Sequence, residues 1–140
     1  MKIRWTHESV RFRISPSEFA ALQRGESVQE ILAGDETSAW RAEIIPQGLT
    51  TSIQFGPGLV RVLISAEDRL RLADPEAEGV YFQREEAPAL RYYIEKDFPC
   101  AHPRAAEANE PQTETFEAPA GFEERKLSAS LGCEPELPTE

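Results

Sequence analysis

Hydrophobic and polar residues alternate along two stretches near the start of the chain, residues 2–6 and 9–14. In the second stretch the apolar residues Val10, Phe12 and Ile14 are separated by arginines. A period of two is typical of a strand that buries one face and exposes the other. The connection between the two stretches is short enough for a hairpin. The pattern therefore predicts two paired strands.

A helix is predicted directly after the second strand. Ser15 can cap its N-terminus, and Glu18 lies three residues later, as in a capping box. Gly25 suits the C-terminal end of such a helix. Two more short strands are predicted at Val28–Leu32 and Ala39–Ile45.

The same succession of elements returns 50 residues later. The run Val10–Ser15 (VRFRIS) matches Val60–Ser65 (VRVLIS), and the likeness extends over residues 3–46 and 53–96. A repeat at one fixed offset is the signature of a duplicated structural unit. The last two strands of the second copy are predicted at Gly79–Gln83 and Leu90–Lys96.

We therefore expect an α+β domain built from a duplicated strand–strand–helix–strand–strand unit. Its eight short strands are expected to form an antiparallel sheet or a partly closed barrel, because parallel strands need longer crossovers. The two helices would cover this sheet, with a pseudo-two-fold axis between the copies. A chain of 140 residues has room for one such domain.

The C-terminal part differs in composition from the rest. Residues 105–140 hold nine acidic and two basic side chains, and so carry most of the net charge of -10. Such a segment buries too little apolar surface to offset the entropy of ordering. We place the folded domain at residues 1–102 and expect residues 103–140 to be a mostly disordered acidic tail. Four apolar residues of the tail are expected to dock on the domain or on a partner: Phe116, Phe122, Leu127 and Leu131.

The sequence favours a cytoplasmic protein. It contains no apolar run long enough to span a membrane, and its charged start does not resemble a signal peptide. Its two cysteines, Cys100 and Cys133, are then expected to stay reduced.

Arginine is the residue type that most suggests a binding function. The repeat makes Arg11 equivalent to Arg61 and Arg41 to Arg91, and each lies beside an apolar strand residue. Such arginines point away from the core, where they suit recognition of carboxylate or phosphate. The candidate ligand-binding residues are Arg4, Arg11, Arg13, Arg41, Arg61 and Arg91. One alternative is that these arginines pair with glutamates across the strands, and Glu43 and Glu95 are available for that. Another is that the arginine-rich face is the docking place of the acidic tail.

The sequence disfavours nucleic acid as a partner. The domain is not basic overall, and its aromatic residues do not interleave with its basic positions along the chain. Catalysis also lacks support, because no known nucleophile, phosphate-binding or metalloprotease motif is present. Ser15 and Ser65 are interpreted as helix caps, not as nucleophiles. An enzyme is therefore less expected than a binding protein.

A metal site is the alternative function. Cys100 and His102 offer sulfur and nitrogen ligands, and Asp97 lies close by in sequence. A complete site would need further ligands, and the candidates are His7, Asp97 and Cys133.

Three segments together resemble a family of small, uncharacterised bacterial proteins. They are the start Met1–Arg4 (MKIR), the strand Ser9–Ile14 (SVRFRI) and the block Glu95–Cys100 (EKDFPC). The resemblance implies a compact domain and no mechanism. An architectural analogy with triphosphate-tunnel enzymes suggests a phosphohydrolase as a second alternative, although their E-x-E-x-K signature is absent. The favoured function is a cytosolic domain that contacts a small anion or a protein partner through its arginine-rich face.

Overall fold

The computed structural model describes residues 1–32, 38–99 and 114–131. These residues form an α+β fold with two four-stranded sheets and three helices. In chain order the elements are β1 (Lys2–Trp5), β2 (Ser9–Ile14), α1 (Pro16–Gln23), β3 (Val28–Leu32), β4 (Trp40–Ile45), β5 (Ser52–Gly56), β6 (Leu59–Leu63), α2 (Ala66–Ala73), β7 (Gly79–Arg84), β8 (Leu90–Lys96) and α3 (Phe122–Leu131). The third helix lies outside the two that the sequence predicts.

Each sheet combines two strands from the first half of the folded region with two strands from the second half. Sheet 1 has the order β1-β2-β8-β7, and sheet 2 has the order β3-β4-β6-β5. The expectation of a purely antiparallel sheet is wrong, because the central pairs β2/β8 and β4/β6 are parallel. Strands joined by short connections are antiparallel, as in β1/β2, β3/β4, β5/β6 and β7/β8. Residues 15–89 join β2 to β8, and residues 46–58 join β4 to β6, so both connections are long enough for a parallel crossover.

The described strands form two separate sheets and no closed barrel. This removes the structural basis of the tunnel-type phosphohydrolase, whose chemistry requires charged side chains inside a closed barrel.

One hydrophobic core joins the two sheets and the first two helices. Phe12 and Ile94 of sheet 1 and Ile44 of sheet 2 are fully buried in it, together with Leu22 of α1 and Leu72 of α2. Burial of side chains of this size contributes about 1.5–3 kcal/mol each. The alternation along β2 predicts the inward-facing residues correctly, since Val10, Phe12 and Ile14 all belong to the core.

The predicted caps of the two core helices are confirmed. The Ser15 hydroxyl accepts a hydrogen bond from the Glu18 backbone N–H at 3.3 Å, and the Glu18 carboxylate accepts one from the Ser15 N–H at 2.8 Å. At α2 the Ser65 hydroxyl accepts from the Asp68 N–H at 3.1 Å. The Ser65 N–H instead donates to the Thr51 hydroxyl, which donates onward to the Asp68 carboxylate.

Part of the C-terminal segment packs on the domain. The Phe116 backbone N–H donates to the Asp97 carbonyl at 2.9 Å, and the Phe116 ring lies 6.2 Å from that of Phe19. The ring of Phe122, at the start of α3, lies 4.7 Å from that of Phe98. Docking on the domain is thus confirmed for Phe116 and Phe122. Within the described residues, no helix is long and apolar enough to cross a membrane.

Candidate ligand-binding face

The outer face of sheet 1 carries a concentration of cationic side chains. Because strand side chains alternate between faces, residues that pair across strands share one face. The pairs Lys2/Arg13, Arg4/Arg11 and Ser9/Arg91 lie on the side opposite the core. We call this surface the basic face and define it by Lys2, Arg4, Arg11, Arg13 and Arg91.

A row of four side chains crosses the basic face from one edge to the other. Arg4 pairs with Arg11, Arg11 with Tyr93, and Tyr93 with Tyr81. The Arg11 guanidinium carbon lies 5.4 Å from the centre of the Tyr93 ring, and the two tyrosine rings lie 5.5 Å apart. Tyr81 is 55% exposed. Two arginines and two tyrosines therefore lie side by side on an accessible surface.

Glu95 holds two of the arginines of the basic face. Its carboxylate lies 3.4 Å from Arg11 Nε and 3.5 Å from Arg13 Nε. A Cβ at Gly79, which pairs with Glu95, would lie 2.7 Å from the Ile94 carbonyl oxygen and 2.9 Å from Glu95 Cγ, so the glycine allows β7 to approach β8 closely at this point. Neither guanidinium makes a hydrogen bond to another described residue, so their remaining N–H groups are free to bind a ligand.

An open groove of about 360 Å³ lies between the basic face and α3. Arg11, Arg13 and Tyr81 line it from the sheet, and Phe122 and Lys126 line it from the helix. Its volume falls within the range of small-ligand sites. The carboxylates of Glu78 and Glu95 also line the groove. Its cationic donors and aromatic rings suit a ligand that has both negative charge and an apolar ring.

The residues of the EKDF motif support the walls of this groove. Lys96 is only 6% exposed, and its ammonium donates to the Asp74 carbonyl at the end of α2 at 2.6 Å. Burial lowers the pKa of Lys96, and the nearby Asp74 opposes that shift. Asp97 is buried and ion-pairs with Lys2 at 2.7 Å, while Phe98 packs against Phe122.

The six predicted arginines do not form one group. Arg4, Arg11, Arg13 and Arg91 belong to the basic face. Arg41 and Arg61 lie on sheet 2, where both contact Glu43, at 3.7 Å and 3.1 Å. Pairing of arginines with Glu43 and Glu95 is thus confirmed. Arg91 lies 3.5 Å from Glu8, and Arg4 has no ion pair with any described residue.

The predicted metal site is only partly visible. Cys100 and His102 lie outside the described residues, and the Asp97 carboxylate contacts Lys2. The described residues contain no group of three or more His, Cys, Asp or Glu side chains that could hold a metal ion.

The sequence reasoning missed three residues of the groove: Tyr81, Tyr93 and Lys126. The tyrosines are separated from the arginines along the chain and meet them only through strand pairing. Lys126 reaches the groove because α3 docks there, with Lys126 Nζ 3.4 Å from Glu78.

A second, apolar groove of about 230 Å³ lies where β1 meets β3 and β4. The Trp5 and Trp40 rings stack there at 6.1 Å. Ile31 and Leu32 extend this exposed apolar surface.

Comparison with protein families places the chain. A family model matches residues 1–120. The chain belongs to DUF7009, a family of unknown function. No curated protein and no solved structure matches it. The DUF7009 match includes the whole basic face and Phe116, and it ends before α3 begins, so Phe122 and Lys126 lie beyond it.

Proposed function

We propose that this protein is a cytosolic binding domain, not an enzyme, and that it holds a phosphate-bearing ligand on its basic face. The observation that carries the proposal is the placement of Arg11 and Arg13 beside an open groove, with one carboxylate shared between them. Arginine offers several N–H donors in a planar fork that matches phosphate oxygens. Glu95 orients both side chains through Nε and leaves the other nitrogens available.

The local charge supports an anionic ligand although the whole chain is acidic. Five cations define the basic face, and the carboxylates that contact them are Glu95, Asp97 and Glu8. Residues 105–140 hold nine acidic and two basic side chains and so account for most of the net charge of -10. Charges separated by more than about 8 Å are largely screened at physiological ionic strength, so the side chains next to the basic face contribute most to the binding of an anion.

Inorganic tripolyphosphate is a suitable first probe, measured by isothermal titration calorimetry at low and physiological salt. Each charge-assisted contact contributes about 1.5–3 kcal/mol, so Arg11→Gln with Arg13→Gln should weaken binding at least about tenfold. The matched control is Arg41→Gln with Arg61→Gln, which removes the same charge from sheet 2 and should change binding less than about twofold. Equal losses for the two double variants, or no binding at low salt, would contradict the proposal.

We also propose that the two sheets arose by duplication of one half. Strand pairing supports this: Arg41 pairs with Leu59 in sheet 2, and Arg91 pairs with Ser9 in sheet 1, at positions that correspond under the 50-residue offset. In both sheets this central pair is parallel and is flanked by antiparallel strands. Sheet 2 then serves as an internal reference for what is particular to sheet 1.

A further inference from the structure

We infer that the phosphate-bearing ligand is a single-stranded nucleic acid whose bases stack on the tyrosines of the basic face. This inference rests on the proposed function and specifies its ligand. It is carried by the row Arg4, Arg11, Tyr93 and Tyr81, in which two guanidinium groups and two aromatic rings follow each other across four strands. Single-strand binding surfaces combine cations that follow the phosphates with aromatic rings that stack on bases.

The dimensions of the row suit a strand better than an isolated anion. Neighbouring strands lie about 4.8 Å apart, so four strands place side chains over roughly 14 Å. The groove next to α3 contains Arg11, Arg13 and Tyr81, whereas Arg4 and Lys2 continue the cationic surface beyond it towards the edge strand β1. A single phosphate would use only one end of this surface.

The tyrosines decide between a single strand and other polyanions. Tyr81 is more than half exposed, and its ring is tilted by 59° against that of Tyr93, so part of the ring surface faces solvent. Paired bases in a duplex already stack on their neighbours, and only unpaired bases can lie against an aromatic side chain. A polyanion without bases would gain nothing from either ring.

The sequence disfavours nucleic acid for two reasons, the spacing of aromatic and basic residues along the chain and the overall charge. Neither describes the side chains that strand pairing brings together on one face. Alternation along one strand never shows which residues are neighbours on the next strand, and strand pairing brings Tyr93 beside Arg11. Most of the net negative charge comes from residues 105–140, which hold nine acidic and two basic side chains, whereas the described ion pairs of the basic face involve three carboxylates for five cations.

The test measures fluorescence polarisation of a labelled oligothymidylate of about twelve nucleotides, beside tripolyphosphate calorimetry on the same protein. Tyr81→Leu keeps an apolar side chain but removes the stacking ring. It should weaken oligothymidylate binding roughly 5- to 100-fold, a larger loss than any it causes in tripolyphosphate binding. Tyr81→Phe keeps the ring and should bind both probes as the unmodified protein does. The circular dichroism spectrum and melting temperature of both variants establish that they are folded.

The outcomes separate the two proposals. If tripolyphosphate binds and Tyr81→Leu does not affect oligothymidylate binding, the ligand is not a stacked strand and the proposed anion site remains. The inference is also overturned if the same sequence in duplex form binds as tightly as the single strand. If neither probe binds at low salt, both proposals are wrong. Arg11→Gln should weaken the binding of both probes and also reduce the salt dependence of oligothymidylate binding.

Discussion

The docking of α3 on the domain depends mainly on Phe122. Within residues 122–128 only Phe122 is buried, at 6% exposure, and the other six side chains are exposed. A helix of ten residues is marginal in water by itself, so packing must hold it. We therefore predict that Phe122→Ala releases α3 from the wall of the groove.

The magnitude follows from the contacts of the ring. Burial of a phenylalanine side chain contributes about 1.5–3 kcal/mol, and its packing against Phe98 about 0.5–1.5 kcal/mol more. The ion pairs of Arg125 and Lys126 with Glu78 are partly exposed and contribute at most about 1 kcal/mol each. Losing the ring should lower the local opening free energy by about 2–4 kcal/mol. The open population would then rise roughly 30- to 1000-fold.

Limited trypsin digestion measures this opening, because Arg125 and Lys126 are cleavage sites within α3. Cleavage that requires opening follows the open population when opening and closing are fast. Glu123→Ala is the matched control, since Glu123 is exposed on the same helix. The reasoning is refuted if Phe122→Ala speeds cleavage less than about fivefold over this control. It is also refuted if global urea unfolding shifts by the same free energy, because α3 would then belong to the cooperative core.

Three further predictions concern stability and assembly. Thr51→Val removes the acceptor of the buried Ser65 N–H and should lower the free energy of unfolding in urea by about 1–3 kcal/mol. Thr51→Ser keeps the hydroxyl and should lower it by less than about 1 kcal/mol. Equal effects of the two variants would refute the role of the Thr51 hydroxyl. Burial lowers the pKa of Lys96, so the Lys96 side chain keeps its proton to a higher pH in the unfolded state than in the folded state. The free energy of unfolding should therefore gain a contribution that grows as pH rises towards about 10. Lys96→Met should lack that contribution, and an identical pH profile would argue against it. Each sheet takes strands from both halves of the chain. Residues 1–48 and residues 49–140, expressed separately, should therefore remain unfolded alone and recover the native circular dichroism spectrum when mixed. A fragment that folds alone would contradict this prediction.

Local sequence signals predict the elements well and their arrangement less well. β3 and β8 begin and end where the alternation predicts, and the caps at Ser15 and Ser65 form as expected. These features depend on residues within a few positions of one another. The parallel pairs depend on contacts across most of the chain, which no local period encodes. The strand order within each sheet therefore follows from the three-dimensional structure and not from the sequence pattern.

The candidate site shows the same division. The arginines can be recognised from the sequence because they occupy polar positions beside apolar strand residues. Glu95 can likewise be recognised as a possible ion-pair partner. Tyr81 and Tyr93 read as ordinary strand residues, and only the pairing of β2, β8 and β7 places them beside Arg11. Whether an arginine is neutralised or available likewise depends on which residue the partner strand places opposite to it.

Arg11 and Arg61 show this dependence on the partner strand, because they lie in matching local sequences but face different residues. Each follows a buried valine in the matching runs of β2 and β6, yet Arg61 lies opposite Glu43 and Arg11 lies opposite Tyr93. Glu43 is 8% exposed and accepts a hydrogen bond from Arg61 at 3.1 Å, which fixes that side chain within the protein. In sheet 1 the acid is displaced by two residues to Glu95 and is shared, which leaves an aromatic ring beside a guanidinium with unused donors. We therefore expect the function to lie where the two sheets differ. Tyr93→Glu would place a carboxylate opposite Arg11, as Glu43 lies opposite Arg61 in sheet 2, and should abolish anion binding on the basic face.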